Sequence, residues 1–210
     1  MTKRIKEKDK GKLRKPRVNL TAGMPKPRPV SFHGPTVFLQ QAREFPMMGC
    51  WIMADWKESG ITPVIVARLE PGDMVIFGSF LADIFCLGVK DAFWKYDIPV
   101  KQFTRNLPDL CRGNPEPCEA SLAHEIIYGS IEYARTFGFE PHRDYARASL
   151  VLDLPELHPR KHHVEFGKDG KPFFIAGPYD NARAIVKKLM QTAGEGNFNF
   201  LAMFEDLDNL

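Results

Sequence analysis

Two runs rich in β-branched, aromatic and apolar residues, 62–69 and 74–82, are separated only by Glu70-Pro71-Gly72-Asp73. Proline pre-sets φ for the second position of a type II turn, and glycine accepts the positive φ that the third position needs. The pair therefore predicts an antiparallel hairpin. A similar run at 49–56 precedes it, and residues 83–94 are apolar but broken by Gly88, which suits either strand or helix.

Beyond the hairpin the period changes. Residues 118–137 place Ala123, Ile127, Ser130 and Ala134 down one helical face with Leu122, Ile126 and Ile131 beside them, and Gly138 stands where a left-handed C-cap belongs. A second helix is expected from about 141 through Tyr145, Ala148 and Leu152. A second hairpin is expected from 163–166 and 172–176, which flank Gly167-Lys168-Asp169-Gly170. A last amphipathic helix is expected at 179–192, and a short one at 36–44 ends before Pro46. The predicted fold is α+β, with antiparallel hairpins packed against a helical pair and a C-terminal helix.

A chain of 210 residues, 44% hydrophobic and 26% charged, suits one sizeable core. The longest uncharged apolar stretch, 74–82, is too short to span a bilayer. The first residues are basic with no apolar stretch behind them, unlike a secretory signal, so a cytoplasmic location is expected. Reduced thiols at Cys50, Cys86, Cys111 and Cys118 fit that compartment.

Charge is divided unevenly along the chain. Residues 1–30 hold eleven Lys and Arg against Glu7 and Asp9, a net +9; the whole chain is +3, which leaves −6 on residues 31–210. With few large apolar residues and with Pro16, Pro25, Pro27 and Pro29, residues 1–30 read as a disordered basic arm and Pro-rich linker ahead of a single α+β domain at 31–210. Lys3, Arg4, Lys6, Lys8, Lys10, Lys12, Arg14, Lys15 and Arg17 are the expected contacts to the phosphates of a nucleic acid or ribonucleoprotein, by counterion release. A solubilising tail is the plainer alternative. The preferred reading is thus an accessory RNA- or DNA-associated protein whose folded body supplies a specific docking surface, with no metal or cofactor. A protein-interaction module is a further alternative.

Within the body, His124, Tyr128 and Glu132 fall four residues apart and form one helical stripe of imidazole, phenol and carboxylate. The second histidine of a zinc-protease HExxH pattern is lacking, and a boundary histidine bonded to a neighbour is the commoner outcome. Asp55, Asp83 and Asp91 lie at or just beyond strand ends. Gathered at a sheet edge, such carboxylates hold Mg²⁺ or Mn²⁺ for phosphodiester hydrolysis in ribonuclease-H-like enzymes, with His124 as acid or base. Aspartates that cap a turn or pair with Lys90 are the structural alternative. Cys111 and Cys118 are spaced too widely for a zinc knuckle and His162-His163 are remote from them in sequence; the glycines at 167–170 lack a P-loop pattern.

The strings Phe85-Cys-Leu-Gly-Val-Lys-Asp91, His124-Glu-Ile-Ile-Tyr-Gly-Ser-Ile-Glu-Tyr133 and Gly170-Lys-Pro-Phe-Phe-Ile-Ala-Gly-Pro-Tyr-Asp180 resemble those of uncharacterised bacterial proteins, over about residues 45–203. The resemblance implies a bacterial-type domain and brings no activity, cofactor or catalytic residue with it.

Overall fold

The computed structural model describes residues 39–202. The basic arm and its nine proposed phosphate contacts lie outside them. An antiparallel sheet dominates, with β1 (Met47–Met53), β2 (Ile61–Glu70), β3 (Met74–Asp83), β4 (Gly88–Pro99) and β5 (Pro115–Cys118) in the order β4-β3-β2-β1-β5. The expected hairpin is β2–β3, paired without a break from Ile61↔Asp83 to Glu70↔Met74. Gly72 takes φ 83° in its turn, as the proline–glycine pair demands; Asp73 follows at φ 58°. The ambiguous apolar stretch becomes β4. Gly88, at φ 71°, opens the strand and does not interrupt it. Pro115 and Pro117 hid β5 in the sequence. Proline is compatible with an outer strand because no ladder bond is lost on its open side.

The helices are α1 (Trp56–Ser59), α2 (Val100–Cys111), α3 (Ala120–Thr136), α4 (Tyr145–Ala148) and α5 (Ala182–Thr192). Strand β2 is apolar on both faces because the sheet is covered on both. Val64 and Val66 join Ile76 and Phe80 beneath Ala123, Ile126 and Ile127 of α3, while Ile65 and Ala67 join Val75 and Phe77 beneath Phe103, Leu107 and Cys111 of α2. A third cluster sets Val186 and Leu189 of α5 against Cys86, Leu87, Phe174 and Phe198. At roughly 25 cal/mol per Å², these clusters outweigh any single polar contact below.

Two expectations are revised. The helix expected from 141 onward is confined to α4 and a following 3₁₀ turn, Ser149–Val151. The second hairpin is reduced to one isolated bridge, Lys168↔Lys171; β6 (Phe173–Ile175) pairs in parallel with β7 (Asn199–Leu201) instead. The cause lies on α3. The Glu125 carboxylate, 4% exposed, accepts hydrogen bonds from the backbone N–H groups of Lys161 (3.1 Å), His162 (2.9 Å) and Val164 (2.8 Å), which removes those donors from any ladder. A side-chain anion thereby shapes a loop where the apolar pattern suggested a strand.

Candidate functional site

No three of Asp55, Asp83, Asp91 and His124 bring ligand atoms within 4.8 Å of one another. Asp55 is exposed at the N-terminus of α1, without a capping bond from its side chain. Asp83 is buried, and its Oδ1 accepts from the amides of Phe85 (3.0 Å) and Cys86 (2.9 Å), so it caps the turn between β3 and β4. Burial pushes its carboxyl up to about 6, against the opposing pull of Lys90 and the turn amides. Asp91 is exposed on β4, 3.8 Å from His142 Nδ1. Lys90 pairs with Asp180 at 2.6 Å.

His124 is 1% exposed and fully engaged. Its Nδ1 lies 2.6 Å from the carbonyl of Ala120, which only accepts, and its Nε2 lies 3.0 Å from the amide of Asp153, which only donates. Those partners fix the neutral tautomer with the proton on Nδ1. Burial, with lesser repulsion from His158 and Arg68, lowers its pKa to about 4 despite the Ala120 carbonyl.

Among the described residues, the one set of three metal-capable side chains with ligand atoms within 4.8 Å of one another is His124, Asp153 and His158. The set fits a metal poorly. Both His124 nitrogens are committed, while Asp153 is bridged by a close ion pair with buried Arg68 and by His158 Nε2 at 2.8 Å. Arg68 donates further to the carbonyls of Val151 (2.7 Å) and Phe45 (2.9 Å), and Tyr128 donates to that of Asp153 (2.9 Å). The cluster clasps residues 149–158 to the sheet. The stripe foreseen on α3 is real for His124 and Tyr128, which hold the N–H and the C=O of one residue, Asp153; Glu132 turns away to pair with Arg160 at 2.5 Å.

A cleft of about 760 Å³ opens elsewhere, between α1, the β3–β4 turn, the start of α3 and the loop that Glu125 holds. Trp56, Ile84, Phe85 and Leu122 supply its apolar lining; Lys57, Glu58, His162, His163, Glu165, Lys168 and Asp169 supply the polar part. Gly60 makes this wall possible. At φ 71° it ends α1, and a Cβ there would stand 2.0 Å from the Phe85 ring. The Lys168 ammonium sits 5.8 Å from the Phe85 ring centre and 5.1 Å from that of Phe173, a cation–π placement on the aromatic wall.

Beside the cleft, the Ser121 hydroxyl lies 2.8 Å from His162 Nε2 and 3.0 Å from Glu119 Oε2, and Lys161 pairs with the same carboxylate at 2.6 Å. Lys161 and Ser121 hold the Glu119 carboxyl below its ordinary value. A hydroxyl has one proton, and the carboxylate can only accept it. Ser121 therefore donates to Glu119 and accepts from His162 Nε2–H, which leaves Nδ1 of His162 as the unprotonated ring nitrogen. No hydrogen bond engages that Nδ1, or the imidazole of His163, among the described residues.

Sequence reasoning met His162-His163 only as distant companions of the cysteines. The adjacent pair beside Arg160 and Lys161 was the available signal, but the loop's placement depends on Glu125, thirty-seven residues from His162. No protein-family model, curated protein or solved structure matches the chain.

Proposed function

We propose that the protein associates with single-stranded nucleic acid, the basic arm supplying attraction and the cleft a specific nucleotide contact. The observation that carries this reading is the cleft, whose apolar aromatic lining is bordered by cations and carboxylates in one concavity. Lys57 and Lys168 suit phosphates. Glu58, Glu165 and Asp169 make the lining too mixed for a site selecting on negative charge alone, but carboxylates accept from base amino groups and ribose hydroxyls. A nucleotide has all of these parts, and its base is complementary to the aromatic wall.

The +9 of residues 1–30 adds an attraction that needs no fixed geometry. Without it, the −6 remainder would repel a polyanion at long range. Attraction and selection are thus assigned to separate parts of the chain. The test is fluorescence anisotropy with a labelled single-stranded oligonucleotide, comparing wild type with a Lys57→Glu/Lys168→Glu double variant. The variant should bind more weakly at every salt concentration; unchanged affinity removes the cleft from the reading.

Asp83 is committed to turn amides, and Asp55, Asp83 and Asp91 do not gather ligand atoms within 4.8 Å, so no observation favours a metal-dependent nuclease.

A further inference from the structure

We infer that the cleft cleaves RNA by acid–base catalysis without a metal, His162 acting as general base and His163 as general acid. The inference rests on the nucleic-acid reading above and goes beyond it to a reaction. His162 and His163 line the same cleft as Lys57 and Lys168, and imidazole is the side chain suited to giving and taking protons near neutral pH. The two are distinguished by their surroundings. His162 is tied through Nε2 to Ser121, whose own proton is committed to Glu119, so its Nδ1 carries the free lone pair that a base requires. His163 is exposed and without such a tether.

The step balances without a co-reactant. A ribose 2′-oxygen attacks the adjacent phosphorus as its proton passes to His162 Nδ1. The P–O5′ bond breaks, and the departing 5′-oxygen takes a proton from protonated His163. The products are a 2′,3′-cyclic phosphate and a 5′-hydroxyl. His162 carries the proton as an imidazolium, with the Glu119 carboxylate 3.8 Å from its Nε2. Lys168 is placed to offset the negative charge that develops on the phosphoryl oxygens. Ser121 is a positioning residue: it holds the tautomer and touches no reacting atom. The same bond pattern argues against Ser121 as a nucleophile, since its proton points at Glu119 and not at the imidazole.

The experiment incubates the full chain with an end-labelled, mixed-sequence oligoribonucleotide in EDTA, and measures binding by anisotropy on the fully 2′-deoxy analogue. Cleavage to 2′,3′-cyclic phosphate ends is expected, together with binding but no cleavage of the analogue. His162→Ala and His163→Ala should each slow cleavage by about 100-fold or more, well beyond any change in their affinity for the analogue, in proteins that still melt cooperatively. Added imidazole should restore part of the rate to His162→Ala. Ser121→Ala should slow cleavage without weakening binding, and Ser121→Thr should restore it. Binding without cleavage in EDTA overturns this inference and leaves the proposed function standing, whereas absence of binding to either strand overturns both. Cleavage of the 2′-deoxy strand, or full activity in both histidine variants, also overturns the inference.

Discussion

Replacing Glu125 by glutamine tests how the cleft is built. The carboxylate serves three backbone amides, two at Oε2 and one at Oε1, from a buried position. Each hydrogen bond to a charged acceptor contributes about 1.5–3 kcal/mol, and a buried donor left unpaired costs about 1–3 kcal/mol. Glutamine is nearly isosteric. Its one oxygen still serves the amides on its side, but its NH₂ group faces the third as donor against donor. One charged bond is then lost outright and the others weakened, so the loss of stability at pH 7 should be about 3 kcal/mol. Urea denaturation measures it, and amide hydrogen exchange at 161, 162 and 164 should accelerate more than exchange in β2. The acid range gives a second readout. Burial alone would raise the Glu125 pKa, but the amides of Val164, His162 and Lys161 outweigh it and hold the group below its ordinary value of 4.5. A carboxyl depressed in the folded state stabilises fully above the unfolded pKa, and that contribution is lost as pH falls through the folded value. The difference between wild type and Glu125→Gln should therefore shrink below about pH 4.5. A difference within about 0.5 kcal/mol at pH 7 refutes the claim that this carboxylate organises the loop.

Other substitutions probe the remaining parts. His124 is lowered to about 4 in the folded protein, so its protonation favours the unfolded chain; stability should rise with pH between about 4 and 6.5, a dependence absent in His124→Gln in calorimetric melts. Arg68→Ala should destabilise by about 3–5 kcal/mol in urea titration, because it leaves Asp153 and the carbonyls of Arg43, Phe45 and Val151 without their buried partner. Gly129→Ala gains helix propensity, yet its Cβ would stand 2.2 Å from the Phe166 ring, so a net loss of about 1–3 kcal/mol in the same titration is expected. Asp83→Asn keeps an acceptor for the turn amides and removes a buried charge; its stability at pH 8 should lie within about 1 kcal/mol of wild type, whereas Asp83→Ala should unfold more readily.

The parts of the fold legible in the sequence were those set by local chemistry. Pro71-Gly72 permits one turn, and the runs either side have little choice but to pair. Helix α3 was likewise plain from its period and from Gly138 at φ 77°. Helix α2 was missed although Phe103, Leu107 and Cys111 recur every four residues, because Pro108 inside it reads as a breaker. The false hairpin at 163–176 shows the opposite failure, a β-like pattern overridden by one distant carboxylate. The candidate site residues carry a similar ambiguity. Asp83 was picked as a carboxylate at a strand end and His124 as part of a polar helical stripe, and turns and clasps require the same groups at the same places. His162 and His163 gain meaning only once α1, the β3–β4 turn and the loop close around them.

The salt dependence of binding to the fully 2′-deoxy single strand, which is not cut, tests the division of labour most directly. In the full chain, the nine cations from Lys3 to Arg17 are replaced by glutamine, and Kd is measured from low to physiological salt beside wild type and the Lys57→Glu/Lys168→Glu variant. If every one of those nine cations meets a phosphate, the slope of log Kd against log salt falls by up to about 6 in the arm variant. The cleft variant should lose affinity while keeping most of the wild-type slope. An arm variant that binds this strand as tightly as wild type, with the same slope, contradicts the account.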